Sequence, residues 1–226
     1  MAKAEPRAVA FAVDAECRVS GLLLVPKGAT ALYVLAHGAG AGMTHPFLAT
    51  LSALLAERAI ATLRYQFPYM EKGSRRPDPP KIAEATVRAA VGEAASLAPG
   101  LPLFAGGKSF GGRMTSQAEA HGSLGVKGLA FVGFPLHPPR APADKRGEHL
   151  ADVHVPMLFL QGTRDEFAGL DLLRPLVERL GRRATLHLID DADHSFRVPA
   201  KTGRKPAEIM AELADTLAGW FGRLIA

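Results

Sequence analysis

A serine set between two glycines, Gly107-Lys108-Ser109-Phe110-Gly111, constrains this chain more than any other feature. An apolar run, residues 101–105, leads into it, and residues 113–120 read as helix after it. At a strand-to-helix turn, G-x-S-x-G is a nucleophile elbow. So sharp a turn forces the serine into a strained conformation, and the crowding is tolerated only where neighbouring side chains are missing. Ser109 would then stand clear of the sheet with its hydroxyl exposed. Glycine makes up 23 of the 226 residues, so the motif alone is a hint. Its setting between strand and helix, and the partners downstream, give it weight.

Residues 8–13 and 18–25 read as two strands around a polar turn, an antiparallel start to a sheet. The continuous apolar run 31–36 has the character of a strand buried on both faces, and it opens into His37-Gly38-Ala39-Gly40-Ala41-Gly42. That loop lacks the Lys-Ser/Thr ending of a P-loop and fails the last position of a dinucleotide fingerprint, so it fits an oxyanion hole better. Helical spacing over 46–58, with Thr44 as cap, is followed by strand character over 60–65. The proline-rich segment 66–80 reads as a loop able to wall a pocket with Phe67, Tyr69 and Met70. Helices are expected over 81–97, 111–120, 170–180 and 205–224, and further strands over 126–134, 157–162 and 184–189. Only about 20 residues separate Phe134 from Met157, so a lid inserted there must be small. The alternation predicts one α/β domain over residues 1–226. About eight strands form a mostly parallel sheet with helices on both faces and little or no lid.

Composition narrows the function classes. The net charge of +5 comes from basic residues spread along the chain without a long block or interleaved aromatics, so nucleic acid is not the expected partner. The densest cluster, Lys72 to Arg76, is a solvated turn or a lure for an anionic substrate. No apolar run approaches 18 residues and the start, Met1 to Arg7, has no apolar signal segment, so no membrane partner and a cytoplasmic location are expected. One cysteine, Cys17, precludes an internal disulfide, and neither a metal site nor a cofactor is expected. The oligomeric state is open.

A serine hydroxyl needs a base to take its proton and a third group to hold that base. In a parallel sheet the C-terminal strand ends share one edge, where distant residues converge. Asp165 follows the strand 157–162 and His194 follows the strand 184–189, so the order is Ser109, Asp165, His194. Glu166 stands as the substitute acid, and Asp190 or Asp191 would serve if the acid came from the histidine's own loop. His187 lies inside a strand, and His37 is expected to hold its loop by side-chain hydrogen bonding. Backbone N–H groups of Phe110 and Ala39, with Gly40 beside them, would receive the oxyanion. Gly40, Met43, Phe67, Tyr69, Met70, Phe134 and Leu136 would wall a shallow pocket.

These segments together resemble the α/β-hydrolase superfamily, and within it small dienelactone-hydrolase-like proteins, including a lidless bacterial set related to a testis-expressed eukaryotic protein. The resemblance rests on His37-Gly38-Ala39-Gly40, Arg64-Tyr65-Gln66-Phe67-Pro68-Tyr69-Met70, Gly106 to Arg113, Gly162-Thr163-Arg164-Asp165 and Asp193-His194-Ser195-Phe196. It implies the α/β-hydrolase fold, with Ser109, Asp165 and His194 in the nucleophile, acid and base positions. Dienelactone hydrolases proper carry cysteine where Ser109 stands, so their substrate does not transfer. The expected function is a serine hydrolase for small carboxylic esters or thioesters. Acyl transfer or perhydrolysis on the same three residues is left open, and the rival of another class is a catalytically silent interaction module.

Overall fold

The most apolar segments become the middle of the sheet, because only there are both faces of a strand removed from water. The computed structural model describes residues 5–226. Every residue of β3 (Ala31–Ala36), β4 (Ile60–Tyr65), β6 (Leu129–Val132) and β7 (Met157–Gly162) is buried. The edge strands β1 (Arg7–Ala12) and β8 (Ala184–Ile189) are partly exposed. With β2 (Arg18–Leu24) and β5 (Leu103–Lys108), these make an eight-stranded sheet of order β1-β2-β4-β3-β5-β6-β7-β8. β1 and β2, and β2 and β4, pair antiparallel; every later pairing is parallel.

Helices cover both faces. α1 (Pro46–Ala56) and α6 (Pro206–Ile225) pack on each other over one face, where Phe104, Trp220 and Phe221 form an aromatic cluster. α3 (Pro80–Leu97), α4 (Phe110–Ala120) and α5 (Leu170–Leu180) cover the other. The chain runs from β4 past β3 to β5, so the direction of winding reverses between β3 and β5. Loops leaving the carboxyl ends of two such strands diverge to opposite faces and leave a crevice, the usual ligand site of open α/β sheets.

Three local expectations change. The strand before Ser109 does not end at residue 105: Gly106 and Gly107 stay in the ladder opposite Ala130 and Phe131, because pairing on both sides outweighs their turn preference. The cap of α1 is His45 rather than Thr44, its Nδ1 accepting from the Phe47 N–H at 3.2 Å. Segment 66–80 contains one helical turn, α2 (Pro68–Glu71), started by a proline whose missing N–H costs nothing at that position. Between β6 and β7 the chain forms only a 3-10 segment, Lys145–Asp152, packed on α4, and no larger lid.

Candidate active site

Ser109 lies between β5 and α4 with φ 50° and ψ −116°, a backbone conformation held by its surroundings. The two glycines of the motif make room for it. A Cβ on Gly107 would stand 2.3 Å from the Ala36 carbonyl oxygen, and one on Gly111 would stand 2.6 Å from the Ala36 Cβ and the His37 oxygen. Any side chain at either place would push the elbow away from β3.

Two hydrogen bonds join the residues brought from three strand ends. His194 Nε2 lies 2.8 Å from Ser109 Oγ, and His194 Nδ1 lies 2.7 Å from Asp165 Oδ2. The Asp165 carboxylate is wholly buried and the imidazole is 18% exposed, so the chain of hydrogen bonds leads from the interior to the crevice. An aspartate at the Nδ1 side selects the tautomer that leaves Nε2 free to accept the serine proton. Glu166 is exposed, Asp190 and Asp191 lie outside the chain of bonds, and His187 is held by Glu212 at 2.9 Å.

Two further residues fix the Asp165 carboxylate. Gln161, fully buried near the end of β7, donates from Nε2 to Asp165 Oδ2 at 2.5 Å and accepts the Phe134 N–H at 2.8 Å. The Phe167 N–H donates to Asp165 Oδ1 at 2.9 Å, and the Phe167 ring lies 4.2 Å from the His194 ring, covering one of its faces. Sequence reasoning passed over Gln161. Its only signal was one amide in the otherwise apolar run Met157-Leu158-Phe159-Leu160-Gln161-Gly162.

The glycine-rich loop after β3 runs beside the serine: a Cβ on Gly38 would be 3.8 Å from Ser109 Cβ. His37 is buried, its Nδ1 2.8 Å from the Gly38 carbonyl and its Nε2 accepting the Phe67 N–H at 3.2 Å. Burial holds its pKa down at about 4, so the ring is neutral and serves as a brace between two loops. The Gly40 N–H is taken by the Tyr69 hydroxyl at 3.0 Å. Among the described residues the N–H groups of Ala39 and Phe110 make no hydrogen bond; the second begins α4, where the helix leaves its first donors free.

Of the expected pocket residues, Gly40, Met43 and Met70 are partly exposed and Tyr69 is almost covered. Phe67, Phe134 and Leu136 have no exposed surface. Phe67 packs between His37, Tyr69 and Phe110, and Phe134 lies against Phe131 and Phe159. These three back the crevice rather than face it, a correction that follows from their apolar area being worth more in the core. The basic loop after α2 folds against the glycine-rich loop, the Arg75 carbonyl 3.8 Å from where a Gly40 Cβ would be.

A sheet reversing between β3 and β5, a serine elbow at its edge and a histidine and aspartate on the loops after the last two strands define the α/β-hydrolase class. The chain belongs to the alpha/beta hydrolase family: the family's alpha/beta hydrolase domain matches residues 29–222. Solved structures show the same fold. A dienelactone hydrolase from Anabaena variabilis superposes with a TM-score of 0.78 at 20% identity, over 98% of this chain and 99% of that one. An α/β serine hydrolase without lid from Xanthomonas campestris gives 0.74 at 19% identity, over 96% and 95%. An esterase domain from Rhodothermus marinus gives 0.74 at 17%, over 98% and 100%. No helix among the described residues is long and apolar enough to cross a membrane.

Proposed function

We propose that this chain is one serine-hydrolase unit that cleaves small carboxylic esters or thioesters through an acyl-enzyme. The observation that carries the proposal is the unbroken path from Ser109 Oγ to His194 Nε2, at 2.8 Å, and from His194 Nδ1 to Asp165 Oδ2, at 2.7 Å. His194 takes the serine proton as Oγ attacks the acyl carbon, then gives that proton to the leaving oxygen or sulfur. Water, deprotonated by the same imidazole, releases the acid and restores Ser109. Each step puts negative charge on the acyl oxygen, which the N–H groups of Phe110 and Ala39 receive, aided by the positive end of α4. Gly40, Met43, Tyr69 and Met70 offer a short, open wall, which favours small acyl groups.

Turnover of short p-nitrophenyl esters, with a fluorophosphonate label mapped to Ser109 by peptide mass, tests this. Wild-type protein is expected to react at both, and Ser109→Ala to lose at least about a thousandfold in kcat, in line with loss of a nucleophile that acts with its base as a unit. Equal rates in the two proteins would refute the proposal. A folded wild type that neither turns over nor labels would make the chain an interaction module on a hydrolase fold.

A further inference from the structure

The middle residue before the nucleophile has no part in the bond path, yet its side chain reaches three of the loops that form the site. Lys108 ends β5. Its stem passes the glycine-rich loop, Cγ lying 3.7 Å from the position of a Gly38 Cβ. Its ammonium then enters the loop after β8, donating to the carbonyl oxygen of His194 at 2.7 Å and sitting 5.5 Å over the Phe196 ring. The path exists because residue 133 is glycine: a Cβ there would be 2.9 Å from Lys108 Nζ and 3.5 Å from the His194 ring.

The loop that carries His194 is tied to the loop after β7 by the Arg164 N–H on the Ala192 carbonyl at 2.9 Å and the Asp191 N–H on Thr163 Oγ1 at 2.8 Å, and otherwise closes on itself. Asp193 Oδ1 accepts the N–H groups of Ser195 and Arg197, the Asp193 N–H bonds the Arg197 carbonyl, and the Phe196 N–H bonds the Asp193 carbonyl. Those bonds set the loop's shape and join it to the loop after β7, and none of them reaches β5. We propose that Lys108 is a positioning residue, a cationic strut that holds the main chain of His194 at the height where Nε2 meets Ser109 Oγ. An ammonium suits the task because a charged donor to a carbonyl makes a shorter, stronger bond than a neutral one. Displacing a reacting group by about 1 Å costs up to about a hundredfold in rate, so a strut of this kind acts on kcat rather than on KM.

The strut titrates. Burial lowers the Lys108 pKa to about 8, against the pull of Asp165 on the loop after β7 and Asp193 on the loop after β8, both of which favour the charged form. His194 is the other titratable group facing it. Loss of the proton as pH rises through about 8 leaves a weaker, neutral donor. The fold itself does not weaken over that interval: a lysine with a native pKa below its ordinary value is held protonated longer by the unfolded chain, so stability rises with pH between the two values.

The assignment rests on the serine-hydrolase reading, and the tests keep the two apart. The rate of fluorophosphonate labelling at Ser109 is expected to fall about tenfold to a hundredfold in Lys108→Met, with unchanged circular dichroism, and to recover in part in Lys108→Arg. In the wild type the downfield imidazole N–H resonance of the His194–Asp165 bond is expected at pH 7 and to weaken above about pH 8 together with labelling, an alkaline limb that Lys108→Met lacks. Equal labelling rates in Lys108→Met and wild type, or a wild-type resonance unchanged across pH 8, would overturn the role of Lys108. The wild-type resonance decides the matter if the variant does not fold. A wild type that labels, with a rate that depends on Lys108, but cleaves no ester would sink the substrate reading and leave the strut standing.

Discussion

Gln161 shows how far one side chain can reach. Its amide uses both ends at once, a donor for the acid that orients His194 and an acceptor for the backbone N–H of Phe134 on the neighbouring loop. Gln161→Leu keeps the volume and removes both bonds. The Phe134 N–H would then be buried without a partner, which costs about 1–3 kcal/mol. Asp165 would keep only the Phe167 N–H besides the histidine. The expected result is an unfolding free energy in urea lowered by that amount and kcat reduced about tenfold with KM little changed; a variant with wild-type kcat would show that Asp165 needs no such support. At this scale much was legible. Ser109, Asp165 and His194, which hydrogen bonds join, and the bracing role of His37 could be picked out from residue type and place in the chain, because strand ends are where a parallel sheet gathers its side chains. Gln161 could not, since an amide in a buried strand announces only that it has a partner and not which one.

The element that matters most is the β5–elbow–α4 unit, whose tightness depends on what is missing. Gly111 is already in a helix, where alanine is favoured over glycine by about 1 kcal/mol. Gly111→Ala nevertheless should destabilise the protein, because the new Cβ meets Ala36 and the His37 carbonyl at 2.6 Å, and neither belongs to a flexible side chain. Overpacking of that kind costs about 1–3 kcal/mol and outweighs propensity. Thermal unfolding is expected at a lower midpoint and ester turnover at less than a tenth of wild type; a stabilised, active variant would mean that β3 and α4 can move apart freely. Most element boundaries followed from periodicity and punctuation. The exceptions share a cause. Glycines at 106 and 107 looked like the turn itself, but their neighbours β3 and β6 recruit them into the ladder. Phe67 and Leu136, on expected loops, and Phe134, at the end of an expected strand, looked like pocket walls, and only packing reveals that such side chains can be turned wholly inward.

On the scale of the molecule, the buried histidines set an acid limit. His37 and His149 both have pKa values lowered by burial to about 4, and His37 has no exposed surface. Each native pKa lies below the unfolded value of about 6.5, so the unfolded chain binds protons first. The stability that His37 contributes is therefore whole above about pH 6.5 and is lost as pH falls toward 4. A native shift of this size corresponds to about 2 kcal/mol by pH 4.5. Urea unfolding at pH 7.5 and 4.5 should show that loss, and a midpoint unchanged between the two would mean that His37 can charge without breaking its bond to Phe67.

The sequence by itself determined the class of the fold and singled out Ser109, Asp165 and His194, whose side chains the structure joins by hydrogen bonds, because hydrophobic periodicity, glycine placement and chain order are local or one-dimensional signals. The tertiary structure alone decided the supports: the amide of Gln161 on the acid, the ring of Phe167 on the base, and the Lys108 ammonium under the histidine loop. Those contacts join residues from different strands at distances of a few ångströms. Which side chains share that space depends on the order in which the strands assemble, and no local pattern in the chain encodes it.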